Sequence, residues 1–188
     1  MQEFENKLSK DLHQYLIALG KVDERMPECP DVEEKWEPIA QSYLVDGIRE
    51  FADYPTVSLG WMMYIGMAVA KYWDSEWEIY SKIDDLYAYI RDKRGYDCLD
   101  EYVVECLVGY PLEAHAAKKL ESTIRKCANA AHTMIRKEGI EPQSVMAFHL
   151  FARVAKVFYR LGVSLELRHR GYKYVKMNVN FAGEAPVS

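Results

Sequence analysis

The chain contains 188 residues, of which 49% are hydrophobic and 28% are charged, with ten glycines and seven prolines. These proportions are typical of a folded globular protein and exclude the collagen-like, low-complexity and intrinsically disordered classes. A chain of this length buries roughly 70% of the surface that its unfolded form exposes, so it needs neither disulfides nor a metal to fold. We therefore predict a single domain over residues 1–188.

The net charge of −5 conceals an uneven distribution along the chain. Residues 1–110 carry a net charge of −12, whereas residues 111–188 carry +7. The basic part either binds an anionic partner or packs beside the acidic helices within one domain. The sequence pI of about 5.6 disfavours nucleic acid as that partner, because the acidic part would repel a polyanion.

Three features of the sequence bear on the cellular compartment. The N-terminus has no basic segment followed by an apolar core, so we expect no secretory signal. The longest apolar stretch, residues 59–70, has 12 residues, whereas a membrane span needs about 20. The four cysteines form no CxxC pair and are too few for a disulfide scaffold. We therefore predict a cytoplasmic protein that does not span a membrane and keeps its thiols reduced.

Apolar residues recur at helical spacing along most of the chain. A first helix is predicted over 3–19 and a second over 38–53, each bounded by glycine or proline. Residues 21–37 between them hold two prolines and a run of acidic residues, which indicates an irregular linker. A third helix over 58–73 is apolar on all sides and should therefore be the most buried.

The second half of the chain contains the longest helices. A capping box predicts a fourth helix over 75–93, and Asp97 caps a short fifth helix. Two long helices over 112–138 and 142–170 then share a short turn, which predicts an antiparallel hairpin packed on the helix at 58–73. The predicted fold class is therefore all-α, a single-domain bundle of six or seven helices.

The segment that follows, residues 172–188, differs from the rest of the chain. Val175, Met177, Val179 and Phe181 alternate with polar residues, which is the period of a strand. We predict a short extended C-terminal tail that either lies along the bundle or pairs with the same segment of a second subunit.

Histidine placement offers one candidate site, since the chain contains none of the standard phosphate-loop, dinucleotide, hydrolase or metalloprotease motifs. In the predicted hairpin, His132 and His149 lie at equal height on facing helices, where they could ligate a metal or another ligand together with an acid from a third helix. Alternatively, both are ordinary polar residues of a helix pair. The same count places His115 level with Glu166. Glu166 and His169 have the spacing of di-iron bundles, but only one such pair exists.

A basic stripe along the last long helix offers a second candidate site. Arg153, Lys156 and Arg160 fall on one face of this helix, in line with His149. The stripe either binds an anion or faces solvent and the acidic helices. Counting across the predicted hairpin places Glu121 opposite Arg160, where the two could form an ion pair.

These observations leave two functions open. The first is a cytoplasmic, non-enzymatic interaction or oligomerising module, whose partner is a second copy of the chain in a homodimer or another protein. The alternative is a helical bundle that binds a metal or a small ligand, with or without catalytic activity, at a site between the two long C-terminal helices. The sequence identifies no cofactor.

Overall fold

The computed structural model describes residues 1–174, and the regular structure of this part of the chain is entirely helical. The all-α fold class is therefore confirmed, while residues 175–188, which include the alternating part of the predicted tail, lie outside the described residues. The helices are α1 (Gln2–Ala18), α2 (Pro30–Glu34), α3 (Trp36–Asp53), α4 (Pro55–Ser75), α5 (Trp77–Lys82), α6 (Leu86–Arg94), α7 (Leu99–Tyr102), α8 (His115–Lys137) and α9 (Val145–His169). A 3₁₀ turn (Tyr96–Cys98) precedes α7, and a π-helical turn (Val103–Val108) follows it.

Helix α4 lies at the centre of the fold, because its middle carries no charged residue. Every residue from 59 to 70 except Trp61 is buried, and the helix contacts α3, α8 and α9. The apolar helix that we predicted over 58–73 is therefore present. It begins earlier, at Pro55, because proline has the fixed φ angle and the missing N–H that suit a first helical turn.

Two glycines allow α4 and α9 to cross with their backbones in contact. A Cβ atom on Gly66 would lie well inside the van der Waals distance of the Tyr159 carbonyl oxygen. A Cβ atom on Gly162 would meet the Met63 carbonyl oxygen in the same way. No larger residue fits at either position without moving a backbone, so this crossing determines how closely the two central helices pack.

A short turn connects α8 to α9, and Ser144 caps α9 by accepting a hydrogen bond from the Ala147 amide at 3.1 Å. The observed helices lie within the predicted ranges 112–138 and 142–170. The predicted direct packing of the two helices is not confirmed, because each has α4 as its main partner and they make few contacts with each other. An apolar surface on all sides of α4 accounts for this, since α4 covers the apolar faces of both helices.

The helix predicted over 75–93 is wrong as a single element, because the chain breaks into α5 and α6. Ile83 adopts an extended conformation, and the Asp85 side chain then caps α6 by accepting from the Ala88 amide at 3.0 Å. Aspartate competes with helical hydrogen bonding and favours a cap, which explains why the Asp84–Asp85 pair interrupts the helix.

The segment 21–37, predicted as an irregular linker, is instead packed and partly helical. It contains α2, and Val22, Pro27 and Val32 are buried. The Tyr159 hydroxyl on α9 donates to the Val32 carbonyl at 2.8 Å. A short helix with one buried valine has no helical period to detect, so the sequence showed only the prolines and the charges.

The apolar stretch 59–70, predicted to be too short for a membrane span, belongs to this buried core. Among the helices of residues 1–174, none combines the length and the hydropathy needed to cross a membrane.

Candidate functional site

A cleft of about 480 Å³ opens at one end of the bundle, between α4, α8 and α9. Its floor is apolar and is formed by Met67, Val108, Leu120 and Leu165. Its rim carries three cationic side chains, two imidazoles and one phenol, which are Lys21, Lys119, Arg168, His115, His169 and Tyr110. Concave sites with an apolar floor and a few convergent polar groups are where small ligands bind most often.

Three elements bring the cations of the rim together. Gly20 has a positive φ of 65°, and this turn after α1 places Lys21 beside the end of α9. Lys119 comes from the second turn of α8, whereas Arg168 comes from the last turn of α9. The cations are therefore supplied by segments that are far apart in the sequence, which is why no local motif marks the cleft.

The cleft is electropositive. No carboxylate lines it among the residues that the structure describes. Within residues 1–174, neither Lys21 nor Lys119 has a carboxylate oxygen within 4.0 Å, while Arg168 Nε lies 3.5 Å from Asp23 Oδ1. A concave surface lined by one sign of charge over an apolar floor concentrates counter-ions, so this cleft attracts anions.

The first turn of α8 reinforces this charge. Ala114, at the N-cap position, has no side chain that can accept a hydrogen bond, and His115 and Ala116 of the first turn line the cleft. The N–H groups of a first helical turn have no partner within the helix, and the helix dipole is positive at that end.

His169 and Tyr110 form a contact at the edge of the cleft. The Tyr110 hydroxyl lies 3.1 Å from His169 Nδ1, and the two rings meet edge to face with their centroids 5.2 Å apart. Partial burial and the neighbouring charges of Arg170 and Lys21 lower the pKa of His169. The imidazole is therefore neutral at pH 7 and gains a proton more readily when an anion is bound nearby.

A buried carboxyl group lies beside the cleft. Glu166 is fully buried on α9, next to Leu165 of the cleft floor. Its Oε1 atom lies 3.4 Å from Nη1 of Arg170, while its Oε2 atom has no hydrogen-bond partner within the described part of the chain. Desolvation by burial raises the pKa of Glu166 to about 7, although Arg170 and Lys71 act in the opposite direction.

The histidine pair predicted from the sequence lies near the opposite end of the two long helices. His132 meets the ring of Phe51 edge-on at 6.3 Å, and His149 is exposed beside Phe148. No group of three or more His, Cys, Asp or Glu side chains in residues 1–174 is arranged to hold a metal ion. Ligand or metal binding by this pair stays a prediction, to be checked by metal analysis of the protein and of a variant with both histidines replaced by alanine.

Each cation of the predicted basic stripe has an acidic neighbour from the N-terminal part of the chain. Arg153 Nη1 lies 2.6 Å from Glu5 Oε2, and Arg160 Nε lies 2.9 Å from Glu33 Oε1. Lys156 Nζ lies 3.9 Å from Glu33 Oε2. These contacts favour the alternative in which the stripe faces the acidic helices.

The ion pair predicted between Glu121 and Arg160 is wrong. Glu121 instead pairs with Arg125 one turn further along α8, and Arg160 pairs with Glu33. The prediction assumed that α8 and α9 face each other, whereas both lie against α4.

Sequence reasoning did not bring Lys21, Lys119 and Arg168 together in one site, but it included one signal that points to the cleft. The count along the predicted hairpin placed His115 near Glu166, and His115 lines the cleft together with Leu165 and His169, the neighbours of Glu166 on α9. Lys21 had no such signal, because it lies at the start of the segment predicted as a linker.

Comparisons with known proteins add no family to this description. No protein-family model matches the chain, and neither the curated proteins nor the solved structures gave a significant match. The site is therefore interpreted from its own geometry.

Proposed function

We propose that this protein binds a small amphipathic anion, an organic carboxylate, phosphate or sulfonate, in the cleft between α4, α8 and α9. The observation that carries the proposal is the cluster of Lys21, Lys119 and Arg168 around an apolar floor with no lining carboxylate among the described residues. The proposal belongs to the second function considered from the sequence, a bundle that binds a metal or a small ligand, but it places the site near the opposite end of the two long C-terminal helices from His132 and His149.

The lining supports an anion that carries an apolar group rather than a bare inorganic ion. A free phosphate or sulfate would fill only part of about 480 Å³ and would leave the apolar floor exposed to water. An alkyl or aryl group on Met67, Leu120 and Leu165 would bury that floor, with a favourable free energy of about 25 cal/mol for each Å² of apolar surface removed from water. The acidic group would then lie at the rim, beside Lys119 and Arg168.

Calorimetric titration with octanesulfonate tests the proposal, because this probe has an alkyl chain and a charge that does not change near neutral pH. We expect saturable binding that weakens as salt is added. Lys119→Gln and Arg168→Gln should each weaken binding about tenfold, since a hydrogen bond to a charged group is worth about 1.5–3 kcal/mol. Lys137→Gln, an equal charge change at the exposed far end of α8, is the matched control.

Two results would contradict this function. One is the absence of saturable binding by the folded protein. The other is an equal loss of affinity in Lys137→Gln and Arg168→Gln, which would mean that only the overall charge attracts the probe.

Self-association is a second candidate function, favoured by the exposed apolar residues at the start of α9. Val145, Met146 and Phe148 are 75%, 50% and 43% exposed, which is unusual for three side chains within four positions. A homodimer formed in the cytoplasm would cover them. The alternative dimer contact through the tail at 172–188 depends on the alternating residues from Val175 onward, which lie outside those that the structure describes.

Sedimentation equilibrium tests this second candidate. We expect a concentration-dependent dimer for the parent protein and a monomer for Met146→Glu, because a buried unpaired carboxylate opposes the interface. Ser122→Glu, which adds the same charge at an exposed position of α8, should remain dimeric. A parent protein that stays monomeric at all concentrations would exclude this function.

A further inference from the structure

Glu166 is the one fully buried carboxyl group among the described residues, and no structural role accounts for both of its oxygens. A carboxyl group is costly to keep in a core, because its charged form loses contact with water. Glutamine has the same shape, carries no charge and would avoid this cost. Its position on α9 follows Leu165 and precedes Arg168 and His169, three residues that line the cleft. Glu166 does not line the cleft itself, but it lies three positions before His169 on the same side of α9, so its charge is expected to act on what the cleft binds.

We infer that the cleft takes up its anion together with a proton, and that Glu166 is the group that holds this proton. The inference rests on the proposed function and adds that binding of the anion is coupled to binding of a proton. When Glu166 carries its proton, the cleft presents only its cations to the ligand. When Glu166 is ionised, its negative charge acts on the rim of the cleft and opposes the anion.

The groups around Glu166 determine the pH at which its carboxyl group gains or loses the proton. Arg170, on the same helix, lies 3.4 Å away, and Lys71 and Asp74 face the carboxyl group from α4. Arg170 is shared with Asp74, whose side chain it contacts directly. The countercharge available to Glu166 is therefore incomplete, and burial raises its pKa to about 7, so that both protonation states are populated near neutral pH.

Tyr110 connects this carboxyl group to the cleft. The pKa of Tyr110 is raised first by burial and then by the negative charge of Glu166, so the field of Glu166 reaches a residue of the rim. Tyr110 also contacts His169, whose pKa is lowered. His169 and Glu166 therefore act in the same direction, since protonation of either group strengthens anion binding.

The size of the expected effect follows from electrostatics. A unit charge within about 10 Å of a bound anion, in surroundings between water and a dry protein interior, changes its affinity about fivefold. We therefore expect octanesulfonate to bind about five times more tightly to the protein with protonated Glu166 than to the protein with ionised Glu166, which amounts to about three- to fourfold between about pH 6 and about pH 8, because titration is incomplete at both ends.

The experiment isolates Glu166 by removing the imidazoles of the cleft. In a background that carries His115→Gln and His169→Gln, affinity for octanesulfonate is measured between about pH 5.5 and about pH 8.5, with and without Glu166→Gln. The protein with only the two histidine substitutions should keep the change in affinity with pH. Addition of Glu166→Gln should remove this change and hold the affinity at the value that the protein has at acid pH. Glu138→Gln, roughly 28 Å from Lys119 along the axis of α8, is the charge-matched control and should keep the change.

A second measurement needs no change at Glu166. Calorimetry of the same background protein, in buffers with different ionisation enthalpies, should show uptake of about 0.4 proton for each bound octanesulfonate near pH 7.3. Binding without proton uptake, or a change in affinity with pH that persists in the Glu166→Gln protein, would overturn the inference and leave anion binding intact. Absence of binding by the parent protein at every pH would instead overturn the proposed function itself.

Discussion

Replacement of Gly66 by alanine is expected to lower the free energy of unfolding by about 3 kcal/mol or more, because the new methyl group would overlap the backbone of α9. The Tyr159 carbonyl is the nearest obstacle and cannot move independently of its helix. Gly162→Ala should act similarly through the Met63 carbonyl. For a domain of this size the change corresponds to a fall in melting temperature of roughly 10 °C, which calorimetry or thermal circular dichroism would detect.

Gly60→Ala is the matched control for Gly66→Ala, since both glycines lie in the interior of α4. A Cβ atom on Gly60 would meet only the Ile124 side chain, at 3.3 Å, and a side chain can adjust. Alanine also favours helix over glycine by about 1 kcal/mol, so Gly60→Ala should stay within about 1 kcal/mol of the parent. Equal destabilisation at both positions would contradict the backbone contact between α4 and α9.

Glu166→Gln is expected to stabilise the protein at alkaline pH and not at acid pH. The pKa of Glu166 is raised to about 7 in the folded protein from an ordinary value of 4.5, so the folded state holds this proton more tightly than the unfolded state. The contribution of Glu166 to stability is therefore complete below about pH 4.5 and is lost as the pH rises to about 7. The loss amounts to about 3 kcal/mol, and glutamine avoids it.

Urea unfolding of both proteins between about pH 4 and about pH 8 measures this difference. The variant should exceed the parent by about 1–3 kcal/mol at about pH 8, where the lower limit allows for the lost contact with Arg170. A carboxylate whose pKa is lowered by a separate partner, such as Glu113 beside Lys118, loses its contribution as the pH falls, but it does so equally in both proteins and cancels. A difference that does not vary with pH would show that Glu166 has an ordinary pKa.

Sequence reasoning succeeded where a single local rule determines the structure. Helical period, together with glycine and proline at the boundaries, located α1, α3, α4, α8 and α9 to within a few residues. It failed at Asp84–Asp85 and at α2, where one capping side chain or a few tertiary contacts decide the conformation. The sequence also could not predict which helices pack against each other, because α4 is apolar on all sides and so does not indicate which neighbours cover it.

The cleft illustrates the same limit for function. Its cations come from the turn after α1, the start of α8 and the end of α9, so no spacing within one segment could reveal them. The one prediction that pointed to this region was the count along the predicted hairpin, which placed His115 level with Glu166. The unpaired oxygen of Glu166 is a property of three-dimensional packing and leaves no trace in composition or pattern.

The pairing of α4 with α9 has a consequence during synthesis on the ribosome. The end of α4 and the end of α9 are separated by 94 positions in the chain, from Ser75 to His169. At about 5–20 residues per second, translation therefore leaves the apolar surface of α4 without its main partner for roughly 5–20 seconds. A nascent helix of this kind is a binding site for chaperones that recognise exposed apolar segments. Translation speed over residues 76–169 should consequently influence how much of this protein reaches its native state.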